Sequence, residues 1–261
     1  MNRLQELFDR KSSDILSVYF TAGYPQLNDS LKIIQELEKA GADLIEIGIP
    51  FSDPIADGPT IQQSNGIALT NGITLDKIFA QLAAVRATVK IPLILMGYLN
   101  PVMQYGIEAF CQKAAAVGID GLILPDLPMY EYQSMYKELF AQHGLSNVFL
   151  VAPQTSEARI RMIDEETNSF IYIVSTDATT GRTEGFGEVH RSYFQRLKNM
   201  KLKNPMLVGF GISNAETFAV TNEYASGAII GSAVIKALAQ EGSLADKVHR
   251  FVQGIRTPTL T

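Results

Sequence analysis

One cysteine, Cys111, is all that the 261 residues carry, and tryptophan is missing altogether. A lone cysteine excludes a disulfide framework and fits a reducing compartment, so a cytoplasmic protein is expected. Cys111 sits in a helical pattern with no partner nearby and reads as a small core residue. Histidine is scarce, with three in all. His143, His190 and His249 fall in or beside helical patterns, away from strand ends. That argues against a histidine-built metal site and against a Ser-His-Asp triad, so no metal is expected. No lysine ends an apolar run, since Lys90 precedes one, which argues against a Schiff-base aldolase. No apolar stretch is long enough to span a bilayer, and Met1–Phe8 is amphipathic and acid-containing, unlike a leader. The 22 basic residues are outnumbered by 27 acids, for a net charge of -5. Neither nucleic acid nor an acidic membrane surface is therefore expected as the main partner.

What is present suits a large packed core. Hydrophobic residues make up 46% of the chain. Short β-rich runs, apolar nearly throughout, recur near 16–21, 43–48, 92–96, 121–124, 148–151, 170–174, 206–210 and 228–230. Such runs suit strands covered on both faces. Between them lie patterns of helical period. One contains Leu31, Ile34 and Leu37 and closes at Gly41; another follows Thr74 as N-cap; a third follows Ser156. Eight alternations without a Gly/Ser/Pro-rich linker predict an α/β fold, a (β/α)8 TIM barrel spanning residues 1–261 as a single domain, with an extra N-terminal helix. A doubly wound open sheet is the alternative. Two strand-to-helix connections are long: that after strand 2, with a short helix at 60–69, and that after strand 6, Ser175 to Glu188. In a barrel both lie on the C-terminal face, where active sites form.

Three groups of residues on that face carry possible chemistry. Glu46 ends an apolar strand, and Asp53 and Asp57 follow on a loop stiffened by Pro50, Pro54 and Pro59. An acid at the end of a buried strand is costly without a partner or a task, and two carboxyls held by a rigid loop can handle protons. The alternative is a turn with solvated acids. Asp126, between Pro125 and Pro128, reads as a brace for its loop. Second, Gly209-Phe210-Gly211-Ile212-Ser213 and Gly231-Ser232-Ala233 close the last two strands. Glycines admit a ligand to backbone amides, and the loops after strands 7 and 8 are the usual phosphate site of such barrels. Ser213 looks like an N-cap; tight turns are the competing explanation. Third, Phe20, Tyr98, Tyr172 and Phe210 lie at strand ends and either fill the core or wall a flat aromatic pocket.

The run from Glu46 to Gln62, reading EIGIPFSDPIADGPTIQ, resembles the signature of the tryptophan synthase alpha-subunit family. The likeness extends over nearly the whole chain, through Phe20–Pro25, Met96–Pro101, Leu124–Pro128, Gly209–Ser213 and Gly231–Ala233. It implies retro-aldol cleavage of indole-3-glycerol phosphate to indole and glyceraldehyde 3-phosphate. The missing tryptophan suits an enzyme made when that amino acid is scarce. By the resemblance, Glu46 is the acid-base residue and Asp57 faces the indole nitrogen. Gly181, Gly211, Gly231 and Ser232 hold the phosphate, while Phe20, Tyr98, Tyr172 and Phe210 line the pocket. Thr180, on the lid, orients the catalytic carboxylate. The implied partner is a pyridoxal-phosphate-dependent beta subunit in an alpha2beta2 complex, with Pro50 and Asp53 at the interface and no cofactor in this chain. A stand-alone lyase and a catalytically silent partner barrel are the alternatives. The sequence departs from the family at the lid. The family pattern is Ser-Arg-x-Gly-Val-Thr-Gly; here Ser175 is followed by Thr176, Asp177, Ala178, Thr179, Thr180 and Gly181.

Overall fold

The computed structural model describes residues 2–175 and 186–257. Eight parallel strands close on themselves in chain order. They are β1 (Ile15–Thr21), β2 (Leu44–Gly48), β3 (Leu93–Met96), β4 (Gly121–Ile123), β5 (Ser146–Val151), β6 (Ile171–Val174), β7 (Met206–Gly209) and β8 (Gly227–Ile230). Parallel strands need a crossover between them, and helices supply each one. These are α2 (Ser30–Ala40), α3 (Pro59–Thr70), α4 (Leu75–Leu82), α5 (Leu99–Tyr105), α6 (Ile107–Ala116), α7 (Met129–Glu131), α8 (Lys137–Gln142), α9 (Glu157–Glu166), α10 (Glu188–Asn199), α11 (Ala215–Asn222), α12 (Ser232–Leu238) and α13 (Leu244–Arg256). A π-helical turn, Tyr132–Tyr136, joins α7 to α8. The expected caps form: Thr74 accepts from the Lys77 amide, Ser156 accepts from the Arg159 amide, and Gly41 ends α2 at φ 101°. Among the described residues no helix is long and apolar enough to cross a membrane.

Side-chain alternation sorts each strand between two cores. In β1, Leu16, Val18 and Phe20 turn outward into the cluster beneath the helices. Ile15 turns inward and joins Leu44, Ile94, Ile123, Val148, Leu207 and Ile229. The N-terminal end of this interior is stopped by α1 (Arg3–Arg10), whose Leu4 and Leu7 belong to the same cluster and are 0% and 1% exposed. Asn2 starts α1 with a reciprocal capping box, and Arg3 pairs with Asp120 at 2.9 Å.

Higher in the barrel, apolar filling gives way to Tyr19, Glu46 and Tyr172. Two strand glycines are required there. A Cβ on Gly48 would overlap the Tyr19 hydroxyl, and one on Gly209 would overlap that of Tyr172. The glycines thus admit large side chains to the mouth.

The helix expected at 60–69 in the strand-2 connection forms as α3, Pro59–Thr70, and leaves ten residues of loop before it. Pro59 at the first helical position fixes the entry. Two readings are corrected. Strand β5 begins at Ser146, because Ser146 and Asn147 are polar yet buried and paired with β4. The N-cap of α11 is Asn214, not Ser213: the Asn214 carboxamide accepts from the Thr217 amide at 2.9 Å.

Candidate active site

Glu46 is 0% exposed on β2, inside the barrel, opposite Tyr19 and Ile94. Its Oε1 accepts a hydrogen bond from Ser17 Oγ at 2.7 Å, while its Oε2 is buried with no partner among the described residues. Burial penalises the charged form and pushes the carboxyl up to about 8, against a small opposing effect of the Ser17 bond. At neutral pH this glutamic acid holds its proton.

Asp57 comes from the loop between β2 and α3. Gln62 ties that loop down by donating to the Asp57 carbonyl at 2.8 Å. Tyr98, at the C-terminal end of β3, reaches over from the neighbouring strand. Its hydroxyl accepts from the Ala56 amide at 3.1 Å and lies 3.5 Å from Asp57 Oδ2, while its ring rests 5.1 Å from that of Phe51. Partial burial raises Asp57 to about 6, with Tyr98 pulling the other way. The Tyr98 phenol rises to about 12, so it remains a proton donor near neutrality. Two carboxyl groups at one mouth therefore differ in charge at pH 7, the condition for dividing acid and anion roles.

A cavity of about 210 Å³ opens beside Asp57, walled by Tyr19, Asp57, Asn65, Tyr98, Leu150 and Phe210 among others; Glu46 lies beneath its surface and is not part of its wall. It is mainly apolar with a few converging polar groups, as small-molecule sites are. Tyr98 and Phe210 line it as expected. Tyr172 is 4% exposed and sits deeper, its ring 6.2 Å from that of Phe210. Phe20 does not face the cavity. It is 0% exposed and packed in the outer core, because strand alternation turns residue 20 toward the helices and residue 19 inward. Tyr19 takes the place expected of Phe20. The signal was in the sequence: Leu16, Val18 and Phe20 form an all-apolar period-2 set, whereas Ser17 and Tyr19, with polar tips, form the other. Ser17 and Asn65 also escaped notice.

The proposed phosphate glycines lie together on adjacent strands. Gly209 pairs with Ile229, and Gly211 and Gly231 follow two residues on, just beyond the ends of β7 and β8. Phe210 and Gly211 both take the left-handed conformation, φ 67° and 75°, a strained arrangement for phenylalanine of the sort found around ligands. Ser175 Oγ donates to the Phe210 carbonyl at 2.7 Å and holds this turn. The Gly211 amide makes no hydrogen bond to a described residue, and Ser232 begins α12, where helix geometry leaves amides unpaired. Thr180 and Gly181 lie outside the described residues.

Asp126 is a brace, as read: its carboxylate accepts from the Leu99 amide at 2.9 and 3.1 Å. Pro50 lines a second, outer cleft of about 350 Å³ with Leu69, Ile73, Pro101 and Tyr105, and Asp53 is exposed on the loop beside it. This cleft is not lined by Asp57.

The family model "Tryptophan synthase alpha chain" matches residues 6–257. A curated tryptophan synthase alpha chain from Flavobacterium johnsoniae is 58% identical over 256 residues, covering 98% of this chain and 100% of the relative. That from Christiangramia forsetii is 54% identical over 259 residues, covering 99% and 100%. Among solved structures, a tryptophan synthase alpha chain from Legionella pneumophila aligns with a TM-score of 0.86 at 33% identity, covering 98% of this chain and 96% of that one. A tryptophan synthase complex from Pyrococcus furiosus aligns at 0.84 and 33% identity, covering 94% and 99%. The chain belongs to the tryptophan synthase alpha chain family.

Proposed function

We propose that Glu46 and Asp57 carry out the retro-aldol cleavage of indole-3-glycerol phosphate in the barrel mouth, Glu46 as acid and then base, Asp57 as the anion facing the indole nitrogen. The observation that carries this reading is the pair of buried carboxyl groups with separated affinities for protons, Glu46 near 8 and Asp57 near 6. Glu46 gives its proton to indole C3, which places positive charge on the ring nitrogen. Ionised Asp57 stabilises that charge as it develops. The Glu46 carboxylate then takes the proton from the C3′ hydroxyl. The bond between C3 and C3′ breaks, its electron pair restores the indole ring, and C3′ leaves as an aldehyde. The proton count closes: Glu46 ends protonated, as it began. Among the described residues the Ser17 bond alone holds the carboxyl in its present pose, so turning toward substrate costs a single hydrogen bond to them.

The indole ring lies among Tyr19, Tyr98 and Phe210. The phosphate is held by the amides of Gly211, Gly231 and Ser232, with Gly181 and the lid residue Thr180 added from sequence. A dianion there meets unpaired amides at the start of α12. This chain's own step takes no cofactor. The indole passes to a beta subunit, whose pyridoxal phosphate chemistry joins it to serine. The loop with Pro50 and Asp53 and its apolar cleft are the docking surface. The whole chain, residues 1–261, acts as one barrel domain in the cytoplasm.

Indole release from indole-3-glycerol phosphate, with and without a beta subunit, tests the reading. Positioned acid-base groups contribute roughly 10²–10⁴-fold, and Glu46→Gln is expected to lose at least that factor while keeping its fold. Near-normal cleavage by Glu46→Gln would overturn the assignment.

A further inference from the structure

Asn65 lies on α3, 3% exposed, and is one of the residues that wall the cavity beside Asp57 and Tyr19. Its carboxamide makes no hydrogen bond to any described residue, and its Oδ1 is buried without a partner. Its neighbour Ser64 shows the ordinary solution, bonding Thr21 Oγ1 at 2.7 Å. A buried amide left unpaired is costly, and in a native structure it calls for a partner that arrives later.

The position of α3 says what that partner is. The helix follows directly from the Asp57 loop and packs against β1 and α12. Asn65 therefore lines the cavity from the helix that links the Asp57 loop, where the reading above puts the indole nitrogen, to α12, where it puts the phosphate. The part of the substrate between those two ends is a three-carbon chain with two hydroxyl groups. A carboxamide offers both a donor and an acceptor, which matches a hydroxyl in either sense. We propose that Asn65 is a substrate-binding and specificity residue that hydrogen-bonds the glycerol hydroxyls of indole-3-glycerol phosphate. This rests on the reading of the site given above. A site built to bond a hydroxyl discriminates against ligands that lack it, because its own polar group is then stranded.

Two ligands separate this role from a structural one. Indole-3-glycerol phosphate carries the hydroxyls. Indole-3-propanol phosphate has the same indole and phosphate ends on a chain without them. For Asn65→Ala in the full chain with saturating beta subunit, kcat/KM for indole-3-glycerol phosphate is expected to fall roughly ten- to hundredfold. The Kd of indole-3-propanol phosphate is expected to change by less than about threefold, and its advantage over the substrate in binding to grow. Asn65→Leu keeps the volume and removes the unpaired amide. It is expected to melt no lower than the parent and to show the same selective loss. Equal losses for both ligands would make Asn65 a structural residue, and unchanged kcat/KM in both variants would remove it from the site; either result overturns the proposal. Failure of the underlying reading is distinguishable, since the unsubstituted chain would then release no indole at all.

Discussion

Ser17 and Glu46 face each other in a barrel interior otherwise filled by leucine, isoleucine, valine and aromatic rings, and burial there, rather than the Ser17 bond, sets the behaviour of this carboxyl group. A carboxyl group at 0% exposure with one hydrogen bond resists ionisation. Its affinity for protons is raised from 4.5 to about 8, so the unfolded chain ionises first as pH rises. Stability tied to Glu46 is thus complete below pH about 4.5 and is lost as pH climbs to about 8, at roughly 1.4 kcal/mol per unit. Glu46→Gln is expected to melt increasingly above the parent protein over that window and to match it at pH 4; parallel melting curves at all pH values would contradict this. The burial of Glu46 was legible because it stands within an apolar strand, whereas the role proposed for it came from the family resemblance. Tyr19 was missed because the aromatic beside it, Phe20, is the more apolar of the two, and apolarity marks the outer core as readily as a binding wall.

At the scale of elements, strand and helix positions followed closely from period and caps, since parallel strands covered on both faces are short and wholly apolar. The places where the reading failed are polar: Ser146 and Asn147 open β5 although neither resembles a strand residue, because pairing with β4 overrides propensity. The N-terminal helix was visible in its amphipathic pattern, but its task was not. Only the closed barrel shows that α1 fills the opening opposite the active site, with Leu4 against the Gly121 backbone region. Leu4→Ala empties that plug and is expected to cost about 2–4 kcal/mol in denaturant unfolding, with KM for substrate unchanged because the site lies at the other end. A change in KM exceeding the change in stability would show that the two ends are coupled. The lid departures at Thr176, Ala178 and Thr179 belong to this scale as well and lie outside the described residues.

For the whole molecule, closure of the sheet brings residues from β1, β3, β5 and the loops after β2 and β7 to one mouth, so Tyr19, Asp57, Tyr98, Leu150 and Phe210, far apart in sequence, wall one cavity. The glycines proposed to hold phosphate stood out as matched signals in the last two repeats. Two other glycines, Gly48 and Gly209, instead make room for tyrosines, which no sequence spacing reveals. The outer cleft with Pro50 is flanked by α5, whose Met103 is 53% exposed. An exposed apolar side chain beside an apolar cleft suits a protein interface. Met103→Glu is expected to weaken stimulation of indole release by a beta subunit at least tenfold in the concentration required, with the unstimulated rate kept. Unaltered titration would move the interface elsewhere.

The proposed cleavage requires Glu46 to be protonated and Asp57 ionised at neutral pH. The pH dependence of kcat/KM for indole release tests this directly. The structure predicts a bell: activity rises as Asp57 ionises near 6, falls as Glu46 loses its proton near 8, and Asp57→Asn abolishes the acidic limb within whatever activity remains. A flat profile across that range, or an acidic limb that survives in Asp57→Asn, would contradict it.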